Sequence, residues 1–113
     1  MKNGGVSEMA RFDVHRNSGV SSGSVPFLLN IQSSLFDDLT TRIVVPLRRT
    51  DRIGPIPVPE ALMPSLHIEG ISCILDTPQL AAVPFRILGP VVANLEPDHE
   101  VIVRATDFLF QGF

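Results

Sequence analysis

Pro55, Pro57, Pro59 and Pro64, with Gly54 beside them, occupy a stretch of the chain that resists both an α-helix and a central β-strand. Each proline fixes φ and lacks a backbone N–H. The segment from Arg48 to Pro64 therefore reads as an irregular loop. It separates two blocks of short, β-rich runs, and helical periodicity is expected only near the C-terminal end.

Before the loop, Arg11-Phe12-Asp13-Val14-His15 alternates polar and apolar side chains, as expected of a strand with one buried face. Asn17 to Ser24 is a small, polar, glycine-containing connection, and Val25 to Gln32 is a β-rich run with its proline near the start. These two segments are expected to form an antiparallel hairpin. Thr41 to Leu47 is a third strand, whose Pro46 implies a sheet edge or a bulge. After the loop, Ser65–Ile68 and Ile71–Asp76 flank Glu69-Gly70 at the spacing of a tight hairpin, and Pro84–Leu88 reads as a sixth strand. From Asp98 to Phe110 the period changes, with Val101, Ala105, Phe108 and Leu109 at helical spacing. Pro97 lies ahead of them, Glu100 sits in the first turn and Gly112 closes the helix. The expected fold is mainly β (α+β), with antiparallel strands and one C-terminal helix.

With 113 residues and 44% apolar content, the chain can build one core and not two. Residues 1–8 lack periodicity and read as a flexible extension, which leaves 9–113 as a single domain. No apolar run approaches the ~20 residues of a membrane span and no signal-peptide core is visible, so a soluble cytoplasmic protein is expected. A net charge of −3 without a long basic run argues against general attraction to nucleic-acid phosphates. Cys73, the single cysteine, sits in an apolar run and reads as a buried reduced thiol.

Catalytic signals are weak. His15, His67 and His99 stand far apart and outside metal-ligand spacings, no glycine motif cradles a phosphate, and no nucleophile elbow surrounds a serine. His67, between Leu66 and Ile68, is expected on the solvent face of its strand. No catalytic residue, metal or cofactor is assigned. Arg48, Arg49 and Arg52 form the one basic cluster. They could bind an oxyanion or form a solvated loop with a local Arg–Asp pair through Asp51.

Two apolar features are harder to place. Leu35-Phe36 occupies what should be a turn, and could fold onto the core or project as an interaction patch. Three of the seven phenylalanines fall in the last six residues, Phe108-Leu109-Phe110-Gln111-Gly112-Phe113. Neighbouring helical residues point about 100° apart, so Phe108, Leu109 and Phe110 cannot share one narrow face. At least one ring needs a surface other than its own core.

Several short segments, in one order from Met9 to Phe113, resemble the CcdB toxin family of toxin–antitoxin modules. They are Arg11–Val14, Asn30–Ser33 with Asp37, Arg42–Leu47, Pro64–Ile68, Ala82–Pro84 with Ile87–Gly89, and the ending Phe110–Phe113. The resemblance implies a small β-barrel-like sheet of the CcdB/PemK-like, SH3-like kind with one C-terminal helix, assembled as a homodimer with its helix ends near the two-fold axis. It also implies a non-enzymatic toxin that binds the DNA gyrase A subunit and blocks resealing of cleaved DNA. A cognate CcdA-like antitoxin would neutralise it, and their complex would repress its own promoter.

Carried over by position, the gyrase-binding residues would be Leu35, Phe36, Asp107, Phe110, Gln111, Gly112 and Phe113. Gly112 and a terminal apolar residue fit the family pattern, whereas the aromatic third from the end, a Trp in the best-known member, is Gln111 here. Two alternatives accompany this reading. One is an endoribonuclease of related fold using Arg48, Arg49, Arg52 and His67. The other is an antitoxin-binding homologue without gyrase poisoning, for which the loops 17–24 and 48–59 would be the antitoxin contacts.

Overall fold

Alternating side chains become a curled antiparallel sheet in the computed structural model, which describes residues 10–55 and 57–112. The expected extension over residues 1–8 and the terminal Phe113 lie outside the described residues. Among the described residues the seven strands are β1 (Asp13–Arg16), β2 (Phe27–Asn30), β3 (Thr41–Arg49), β4 (Ser65–Ile68), β5 (Ile71–Leu75), β6 (Ala81–Pro84) and β7 (Val91–Asn94). Their order is β4-β5-β3-β2-β1-β7, with β6 also paired to β3, and every pairing is antiparallel. The sheet curls into a half-barrel, and helix α1 (His99–Gln111) completes the mainly-β fold.

The concave face is lined by Val14, Phe27, Leu29, Val45, Leu47, Leu66, Ile68, Cys73 and Leu75, joined by Ile102 and Ala105 of α1. Strand β4 shows the alternation most clearly. Leu66 and Ile68 are buried, while Ser65 and His67 face solvent. Burying each large aliphatic side chain contributes about 1.5–3 kcal/mol. The β4–β5 hairpin turns through Glu69 (φ 54°) and Gly70 (φ 79°), two consecutive left-handed residues whose twist matches the flanking strands. The β1–β2 hairpin forms as expected, and Asn17 organises its loop. The Asn17 amide donates to the Val25 carbonyl at 2.7 Å, and its carbonyl oxygen accepts from the Gly19 N–H at 3.1 Å.

Three expectations need correction. Pro46 lies inside the long central strand β3, opposite Leu28 in an unbroken register with β2, and not at a sheet edge or a bulge. On one side β3 pairs with β2 through residues 44–47. On the other it pairs with β6 through residues 41–44 and with β5 through 47–49, so the missing N–H of Pro46 falls where the partner changes. Its carbonyl still accepts from the Asp76 N–H at 2.9 Å.

The expected strand 84–88 is displaced. Pairing occurs at Ala81–Pro84, Phe85–Ile87 is a 3-10 turn, and a further strand, β7, follows. The chain is leaving β3 for β1 here, and β2 stands between them, so it must quit the ladder to cross. The buried stripe of α1 is also shifted from the expected one, since Ile102 and Ala105 are buried and Val101 is exposed. The helix ends as expected, on Gly112 at φ 81°, whose N–H donates to the Phe108 carbonyl at 2.8 Å.

Candidate partner-binding site

Leu35 and Phe36 belong to a 3-10 turn, Ser34–Phe36, between β2 and β3. The Ser33 hydroxyl caps it by accepting from the Leu35 N–H at 3.2 Å. Inside the turn, the Gln32 amide donates to the Phe36 carbonyl at 3.1 Å and its oxygen accepts from the Ile43 N–H at 3.0 Å. With the polar groups turned inward, the apolar ones project. Leu35 is 84% exposed and Phe36 54%. Of the two outcomes left open for this pair, projection is the one observed.

The patch is larger than the sequence suggested. Leu39 in the same connection is exposed, and so are Phe85 and Ile87 of the 3-10 turn after β6. The two turns meet where the Phe85 N–H donates to the Thr40 carbonyl at 3.0 Å. Within the strand expected over 84–88, Phe85 and Ile87 carry no sign of exposure. The Pro84 start of that run was the available signal.

The helix end carries a second apolar group. Phe108 and Leu109 are partly buried, whereas Phe110 is 72% exposed and Asp107, Gln111 and Gly112 are exposed beside it. Phe113 lies outside the described residues. Helix α1 packs Ile102 and Ala105 into the core and also meets the turn Thr77–Gln79, whereas the Leu35–Phe36 turn is bonded within residues 32–43. The two apolar groups are therefore carried by separate supports.

The polar candidates do not converge. Arg48 donates to the Asp76 carboxylate from Nε (3.2 Å) and Nη2 (2.9 Å), and Arg49 forms a paired bridge to Asp51 at 3.1 and 3.0 Å. The hydrogen bond from Arg49 holds the Asp51 carboxyl below the usual carboxylate range and raises the guanidinium in turn. This is the local Arg–Asp pair expected as one alternative. Arg52 is exposed in the adjoining turn. His15 is buried, His67 is exposed on β4, and His99 contacts Glu96 at the start of α1. Among the described residues, no group of three or more His, Cys, Asp or Glu could hold a metal ion, and no helix is long and apolar enough to cross a membrane. Cys73 is buried as expected, and burial pushes its thiol pKa up.

The half-barrel sheet with one closing helix thus presents two projecting apolar groups. A family model described as CcdB protein matches residues 11–112, nearly the whole chain. The chain belongs to the CcdB family. This is a family of toxins from toxin–antitoxin systems, and the matched span takes in the segments from Arg11–Val14 to Ile87–Gly89 and most of the ending Phe110–Phe113.

Proposed function

We propose that this CcdB-family protein is a non-enzymatic toxin that binds the A subunit of DNA gyrase and traps the enzyme on cleaved DNA. It acts in the cytoplasm as a homodimer, and a cognate CcdA-like antitoxin neutralises it. Leu35 and Phe36, together with Asp107, Phe110, Gln111, Gly112 and Phe113 at the helix end, form the contact surface. Residues 9–113 act as one toxin domain.

The observation that carries this reading is the exposure of large apolar side chains on rigid supports. Leu35 and Phe36 ride on a turn bonded from within, and Phe110 sits in the last turn of a helix closed by its glycine cap. Apolar groups held this way bind without a large ordering cost. Desolvating them against a partner supplies the binding energy, and no bond chemistry is required of the toxin.

The test is to incubate the purified protein with gyrase, plasmid DNA and ATP, and to score linear DNA after denaturing the enzyme. Cleaved complexes should accumulate with the wild-type protein and fall at least tenfold with Leu35→Ala/Phe36→Ala or with deletion of residues 111–113, while the far-UV spectrum is retained. Degradation of long RNA by the purified protein, without trapped DNA breaks, would instead establish the endoribonuclease reading.

A further inference from the structure

Arg42 is only 3% exposed, at the start of β3. Its guanidinium bonds to the connection before it. Nη1 donates to the Leu39 and Thr41 carbonyls, Nη2 donates to the Asp37 carbonyl at 2.8 Å, and Nε lies 3.9 Å from the Asp37 carboxylate. The ring of Phe85 lies 5.4 Å from the guanidinium carbon. A single buried cation thus gathers three carbonyls from residues 37–41 and touches the neighbouring turn. Burying a charge is costly, and an apolar side chain would fill the same volume without it. What the planar fork adds is direction, because its N–H groups fix where several carbonyls stand at once.

The projecting side chains are the outer face of this arrangement. Leu35 and Phe36 precede Asp37, and Leu39 lies between two of the bonded carbonyls. We propose that Arg42 is the positioning residue of the partner-binding surface, a buried clip that holds the Leu35–Phe36–Leu39 ridge in its presenting shape and joins it to Phe85. It contributes through the ridge and does not touch the partner. The link to gyrase rests on the function proposed above, whereas the clip itself does not.

The test compares full-length wild type with Arg42→Met, which keeps the bulk and loses every donor, and Arg42→Lys, which keeps the charge and loses the fork. Amide hydrogen exchange is read at Phe36, Asp37 and Leu39, whose N–H groups close the turn, and at β2 and β5 as internal controls. Binding to the gyrase A subunit is measured for each variant, alone and with Leu35→Ala/Phe36→Ala. Arg42→Met should speed exchange at least tenfold at the three turn amides and leave the controls within twofold. Its affinity should fall at least tenfold, with less than twofold further loss once the ridge is removed. Arg42→Lys should recover part of both effects, and it serves alone should Arg42→Met not fold. Unchanged turn exchange, equal acceleration in the control strands, or full loss of affinity added on top of the ridge substitutions would each overturn the proposal. If the wild type binds no gyrase A subunit, the functional reading fails by that result, and the exchange pattern still decides for or against the clip.

Discussion

The imidazole of His15 donates from Nδ1 to the carbonyl of Gly89 at 2.9 Å, joining two residues 74 positions apart. A carbonyl can only accept, so this contact fixes the proton on Nδ1. The approach is close because Gly89 has no side chain. A Cβ there would stand 2.4 Å from the Arg16 carbonyl oxygen, a backbone atom that cannot swing aside. Gly89→Ala must therefore push the segment before β7 away from β1 and stretch the His15 bond. Overpacking of this kind costs about 1–3 kcal/mol. Urea unfolding should show that loss, whereas Gly23→Ala, where a Cβ meets nothing within 4 Å, should stay within about 0.5 kcal/mol of wild type.

Cys73 should control the alkaline limit of stability. Burial raises its pKa in the folded state, so above about pH 8.5 the unfolded chain releases a proton that the folded chain retains. Stability is then lost as pH rises, with a slope of at most about 1.4 kcal/mol per pH unit for one proton. Few other groups compete in this range, since the chain has no tyrosine and Lys2 is its only lysine. Denaturation between pH 8 and 10 should show a declining midpoint for wild type and a flatter profile for Cys73→Ala. An equal decline in both proteins would assign the effect elsewhere.

How much of this molecule was legible in advance depended on whether the cue was local. The αL cap at Gly112, the two-residue turn at Glu69-Gly70 and the outward His67 each follow from a few neighbouring residues, and all three stand as expected. Pro46 and the 84–88 run were misplaced because their positions depend on strand order. A proline is harmless within β3 only because β6 ends and β5 begins on the side it faces. Likewise, Phe85–Ile87 leaves the sheet because β2 separates the strands that β6 and β7 must reach. At the candidate site, Leu35 and Phe36 were visible as apolar residues in a turn. The contributions of Leu39 and Arg42 depend on how residues 37–42 fold back on one another, and that of Phe85, whose one cue was Pro84, depends on contact with a distant segment.

Glu69 holds φ 54°, a left-handed conformation that costs an ordinary L-residue about 1–2 kcal/mol and that asparagine tolerates better. Its carboxylate also pairs with Arg16 at 2.9 Å, but both side chains are more than two-fifths exposed, which limits the pair to about 0–1 kcal/mol. Relief of backbone strain should therefore outweigh the lost ion pair, and Glu69→Asn should raise the thermal midpoint. Salt screens the pair and leaves the strain untouched. The advantage of the variant should accordingly be larger at 0.5 M salt than at low salt, and a lower midpoint at both would refute the balance drawn here.

Gln111 is where the helix end departs from the aromatic pattern that the family resemblance implies, and it can be tested by restoring a ring. It is exposed in the last turn of α1, and the following cap depends on the Gly112 backbone and the Phe108 carbonyl, not on the Gln111 side chain. Gln111→Trp should thus leave the fold and the direction of the tail unchanged. Tryptophan is enriched among the side chains that dominate interfaces, with individual contributions of about 2 kcal/mol or more. On the proposed function, the variant should bind the gyrase A subunit about 30-fold more tightly, since each 1.4 kcal/mol is tenfold in affinity. The gain should appear as a slower dissociation rate in a surface-binding measurement, with association little changed. It should also vanish in a Phe110→Ala background if the two adjacent rings enter the partner together. A Gln111→Trp protein that folds normally and binds no more tightly would place position 111 outside the contact surface and leave Phe110 to anchor the helix end.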